Sequence, residues 1–113
     1  MDDLSKLTPA RAANAFAALG SEQRLAVLTV LVRAGPAGLT IGDLGARCGV
    51  QGSTLTHHLK ILTAAGLIHQ TKAGRSILCA AAAYDDVREL SEFLLAHCCA
   101  DAAPLTDKGH DHD

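Results

Sequence analysis

A chain of 113 residues with a formal charge of −2, half of it apolar and only three residues aromatic (Phe16, Tyr84, Phe93), suffices for one domain. Such a domain buries roughly two-thirds of its unfolded surface. No apolar run approaches the ~20 residues of a membrane span, and the start MDDLSKLTPARAA lacks a basic, then apolar, secretion signal, so a soluble cytoplasmic protein is expected. Four cysteines in that setting suit ligand or redox chemistry better than a disulfide framework.

In chain order, Thr8-Pro9 is an N-cap with proline at the first helical position, and ARAANAFAAL continues as helix to Gly20. Ser21 caps the next helix, in which Leu25, Leu28, Leu31 and Val32 recur at helical spacing until AGPAG (34–38) stops it. Thr40 opens a short helix, IGDLGARC, with Asp43 as a capping-box acid. GVQG (49–52) is a tight turn, and STLTHHLKILTAA follows as helix, with Leu55, Leu59 and Leu62 on one face, to Gly66. The period then changes: LIHQT and SILCA, separated by KAGR, predict a β-hairpin. Helix returns from Tyr84, with Val87, Leu90, Phe93, Leu94 and His97/Cys98 on one side. Residues 1–99 therefore form one mainly α domain with a small hairpin, and the aperiodic, polar residues 100–113 a disordered tail.

A short helix, a Gly-containing turn and a second helix with polar residues near its start is the pattern of a DNA-reading helix-turn-helix. The core-facing leucines of the second helix leave Gln51, Ser53, Thr54, Thr56, His57 and Lys60 for base edges and phosphates, while His58 packs inward. Lys72 and Arg75 stand at the hairpin tip, where a wing touches the neighbouring backbone. Residues 44–84 hold Arg47, Lys60, Lys72 and Arg75 and no acid, whereas residues 85–113 hold eight acids and two bases. One region is thus suited to phosphate and another repels it. No Gly-rich phosphate loop and no acid–base pair suggests an enzyme.

ALGSEQRLAVL, STLTHHLKIL, AAGLI and KAGRSI carry a further expectation, since roughly residues 10–99 resemble the winged helix-turn-helix of the ArsR/SmtB repressors. The resemblance implies a homodimer whose first and last helices pair, with Phe16, Val87, Leu90 and Leu94 in the seam. It also implies double-stranded operator DNA as partner, with two half-sites about one helical turn apart. Release by a bound metal or metalloid ion is the expected control.

The family places metal sites at several positions on this scaffold. Its Cys-x-Cys box on the third helix is missing here, since Thr40 and Gly42 stand where the thiols would be. Its zinc site on the last helix is incomplete: Asp85 and Asp101 fit, but Val87 and Cys98 occupy the His positions. Cys98-Cys99 resembles the adjacent cysteines that end the last helix in arsenic-responsive members, including the preceding EFLL. Thiolates are the soft ligands that select trivalent arsenic, as arsenite or a methylated arsenical. Arsenite takes three sulfurs and a monomethylated arsenical two, with Cys79 expected as the third thiol and Cys48 packing behind the turn. The expected function is an arsenic-responsive repressor. A thiol redox or sulfide sensor pairing Cys98 or Cys99 with Cys48 or Cys79, a zinc-, nickel- or cadmium-responsive repressor, and a DNA-independent metal buffer are the alternatives. His110 and His112 in the tail offer weak nickel or zinc chelation.

Overall fold

Hydroxyl side chains set the starts of three helices. In a computed structural model that describes residues 7–102, Thr8 begins α1 (Pro9–Ala18), Ser21 begins α2 (Glu22–Ala34) and Thr40 begins α3 (Ile41–Cys48). Each hydroxyl accepts the backbone N–H three residues on, from Arg11, Arg24 and Asp43, at 3.2 Å. These bonds satisfy N–H groups that have no partner within the helix. α3 stops at Gly49, whose φ of +72° is left-handed backbone that glycine adopts without a Cβ penalty. α4 (Gly52–Ala64) follows, then β2 (Ile68–Ala73), β3 (Ser76–Ala81) and α5 (Tyr84–Leu95).

The sheet is larger than the hairpin expected from sequence. A two-residue strand β1 (Leu39–Thr40) joins it, giving the antiparallel order β1-β3-β2, with Leu39 opposite Cys79 and Thr40 opposite Leu78. Two residues carry no alternating pattern, so nothing local announces this strand. Gly38 makes the pairing possible. Its φ is +77°, and a Cβ there would collide with the Cys79 carbonyl oxygen. β2 and β3 pair from Ile68–Ala81 to Ala73–Ser76, which leaves Gly74-Arg75 as a two-residue turn. Gly74 has φ +62° and Arg75 does not share the positive φ, as in a type II′ hairpin.

The core lies where α2, α3, α4 and the sheet meet, around Val27, Leu31, Leu44, Leu55, Leu62, Leu67 and Cys79, with Leu90 of α5 against them. Full burial of each such leucine or valine stabilises the fold by about 1.5–3 kcal/mol. Three expectations need correction. In α2 it is Val27 that turns inward with Leu28 and Leu31, while Leu25 and Val32 are exposed. α5 ends at Leu95, so His97, Cys98 and Cys99 lie in the turns beyond it. Leu90, expected at a dimer seam, is buried in its own chain's core. Residues 103–113, with His110 and His112 and most of the expected tail, lie outside the described residues. Among the described residues no single helix is long and apolar enough to cross a membrane.

Candidate nucleic-acid interface and thiol pair

α4 has two unlike faces. Leu55, His58, Leu59 and Leu62 are buried, and Gln51, Ser53, Thr54, Thr56, His57 and Lys60 are all exposed. The five polar positions within the helix therefore share the outer side, in keeping with the leucine spacing, and Gln51 stands exposed at the cap. The Thr56 hydroxyl donates to the Gly52 carbonyl one turn back, at 3.3 Å. α3 approaches the start of this helix closely at Gly45, where a Cβ would meet the Val50 carbonyl oxygen at 2.8 Å and Leu55 Cδ2 at 3.3 Å. That contact sets the angle between the two helices. Lys72 stands on β2 opposite Ile77 and Arg75 in the turn, both exposed. Exposed bases on α4 and on the wing thus occur with no carboxylate anywhere in residues 44–84.

A polar cluster behind α4 is absent from any local reading of the sequence. His58 Nε2 and Gln23 Oε1 are 2.9 Å apart, and Arg24 Nη1 lies 3.4 Å from His58 Nδ1. The Arg24 Nε also donates to the Ala18 carbonyl at 2.6 Å, so one guanidinium ties the end of α1 to the middle of α4. Burial, then the positive charge of Arg24, then His57, hold the His58 imidazole below its ordinary pKa. Gln23 and Arg24 are 35 and 34 residues from His58 in the chain, beyond the reach of any spacing rule.

The four cysteines are free and stand in three different environments. Cys48 is half-buried, and desolvation raises its thiol pKa. Cys79 is sealed in the core with no exposed surface, and Gln70 Nε2 donates to its sulfur at 3.4 Å. Cys79, expected as a third arsenic ligand at the hinge before α5, instead packs into the core, on a stretch of β3 where Ala80 is buried as well. Cys98 and Cys99 are exposed, their sulfurs 3.6 Å apart in hydrogen-bond contact, and Cys99 holds a left-handed φ of +64°. The bond to Cys99, then the charge of that neighbour, raise the Cys98 pKa. Among the described residues no three His, Cys, Asp or Glu side chains come together as a metal site. The chain thus brings Cys98 to Cys99 and does not bring Cys79 to either. The remaining seam candidates differ in exposure: Phe16 and Leu94 face outward, joined by Leu95 and Tyr84, while Val87 is half-buried.

Comparison with known proteins bears on the helices and the wing. A family described as a helix-turn-helix domain matches residues 19–71. The chain is similar to the HTH-type transcriptional regulator NmtR of Mycobacterium tuberculosis, 37% identical over 75 residues, which are 66% of this chain and 60% of that protein. It therefore spans about three-fifths of that relative's length. Among solved structures, it is similar to an ArsR-like transcriptional regulator from Rhodococcus sp. RHA1. The two are 32% identical with a TM-score of 0.67, over 81% of this chain and 82% of the other. A homodimeric winged helix-turn-helix DNA-binding domain from Mycobacterium bovis is 20% identical, with a TM-score of 0.64 over 90% of this chain and 89% of that one. At that identity the likeness is one of fold: a winged helix-turn-helix.

Proposed function

The chain belongs to the ArsR-like family of transcriptional regulators, and from that premise we propose that it is a dimeric, DNA-binding repressor released by a thiophilic arsenical. The observation that carries the DNA half is α4: five exposed polar side chains on one face, with Gln51 exposed at its cap, inside a stretch of chain without a single acid. Hydroxyls and amides there read base edges in the major groove, while Lys60, Lys72 and Arg75 neutralise phosphates. Phe16, Leu94, Leu95 and Tyr84 supply an exposed apolar surface on α1 and α5 for a second copy.

Support for the inducer half is the geometry of Cys98 and Cys99. Two sulfurs 3.6 Å apart can both bond one atom at about 2.3 Å with an angle of about 100°. Two thiolates suffice for a trivalent arsenical that already carries one carbon substituent. Arsenite needs a third sulfur, which Cys79 is too deeply buried to give without opening the core. A monomethylated arsenical is therefore the preferred inducer in this reading. Binding there acts at the end of α5, next to the exposed leucines of the proposed seam.

Fluorescence anisotropy with a labelled duplex that the protein has selected from a random pool tests both halves. Salt-dependent, sequence-selective binding that methylarsenite reverses at lower concentration than arsenite is expected. Absence of salt-dependent binding removes the first half. Binding indifferent to both arsenicals removes the second.

A further inference from the structure

Arginine has no hydrogen-bond acceptor, so the contact from Arg24 Nη1 requires a lone pair on His58 Nδ1. In a neutral ring the proton then sits on Nε2, and the partner of Nε2 has to be an acceptor, which the Gln23 Oε1 is at 2.9 Å. All the bonds of the cluster are thereby made together only when the ring is neutral with its proton on Nε2. A second ring proton would point an N–H at a guanidinium and set two positive charges against each other. We propose that Gln23, Arg24 and His58 form a proton-sensitive latch that positions α4 against α2, so that mild acid weakens DNA binding while the chain stays folded.

The latch sits where it can act on the reading face. His58 is on the inner side of α4, one residue from His57 and two from Lys60, both exposed. Its partners are the second and third residues of α2, and Arg24 is itself held by the Ala18 carbonyl at the end of α1. Loss of the Arg24 contact therefore releases α4 from the guanidinium that also holds the end of α1, leaving the Nε2–H bond to Gln23 as its remaining tie to α2. Arg24 from α2 and His57 from α4 are the charged or titratable groups that act on the ring, and α1 adds the Ala18 carbonyl through Arg24. No carboxylate hydrogen bond or ion pair to His58 is present among the described residues to favour the charged ring. His58 is a positioning residue: it touches no base, and moves those that do.

The inference rests on the DNA-binding reading, and its test separates the two. Operator anisotropy is measured from pH 7.5 to 5.5 in a His57→Gln background, which removes the titration of the exposed imidazole at the DNA face. His58→Asn is added to that background, because the asparagine oxygen can accept from Arg24 at every pH. We expect affinity to fall about tenfold across this range with His58 present, within the usual range of coupling between sites. In the protein that also carries His58→Asn the change should be under twofold, and circular dichroism should show intact helix throughout. Equal pH dependence in the two proteins overturns the latch; no binding by the wild-type chain at any pH overturns the DNA reading instead. Imidazole nitrogen NMR on the wild-type chain decides the matter independently. Nδ1 should be unprotonated at pH 7.5, with the ring titrating below the ordinary value, and the opposite tautomer would sink the proposal even if His58→Asn failed to fold.

Discussion

Adjacent cysteines cannot form a relaxed disulfide, because neighbouring Cα atoms are about 3.8 Å apart and an unstrained bridge prefers roughly 4.4–6.8 Å. At Cys98 and Cys99 the left-handed backbone of the second residue accompanies side chains whose sulfurs meet at 3.6 Å without bonding. A pair so placed suits a two-sulfur chelate better than a redox couple. The raised pKa of Cys98 means that its proton is lost at higher pH than that of an isolated thiol, and a bound ion has to displace it. Cys98→Ser and Cys99→Ser proteins should bind the selected duplex as the parent does but fail to release it with methylarsenite, seen as an anisotropy trace that stays flat. Cys48→Ser should respond normally. Release at parental concentrations in both adjacent variants would clear the pair of any sensing role.

At the scale of elements, the proposed function divides recognition between α4 and the wing, and their substitutions should behave differently. Lys60→Ala and Arg75→Ala should weaken binding to all duplexes and each reduce the slope of log affinity against log salt by about one. Thr54→Ala should instead cost roughly 1–3 kcal/mol only where a base contact is lost. An unchanged slope in both basic variants would mean the wing and α4 do not dock together. α5 makes a second contrast. Leu94→Asp lies on an exposed position and should give folded monomers by analytical ultracentrifugation, whereas Leu90→Ala, in the core, should cost about 2–5 kcal/mol in denaturant melts. The helices were legible because Thr8, Ser21 and Thr40 announce their starts and leucines mark their inner faces. α4's outer face followed from the same spacing. β1, the burial of Cys79 and Leu90 and the bonds of His58 were not legible, since each depends on residues far away in sequence meeting in the folded chain. In α5 the stripe was right in kind but mixed two destinations: Leu90 serves the chain itself, and Leu94 remains exposed.

For the whole molecule, charge and protonation act together. Bases cluster in residues 44–84, while α5 carries Asp85, Asp86, Glu89 and Glu92, with Arg88 already paired to Glu92 at 2.9 Å. A polyanion approaching such a surface is turned toward α4 and away from α5. Acid also works against the fold itself. His58 titrates lower in the folded chain than in the unfolded one, so between those two values the unfolded state binds more protons. Stability is therefore full above about 6.5, the ordinary histidine value, and is lost as pH falls through the lower folded value. Thermal melts at pH 7.5 and 5.5 should show a larger drop in Tm for the wild type than for His58→Asn; equal drops would place the acid sensitivity elsewhere. One junction gives the molecule a mechanical property. Thr40 is both the last residue of β1 and the cap of α3, and β1 is bonded to β3 rather than to β2. Wing and α3 are thus joined through β1, just after Gly38, whose close approach to the Cys79 carbonyl leaves no room for a Cβ. A displacement of β3 would therefore reach the start of α3 through Thr40 even if α4 itself is never touched.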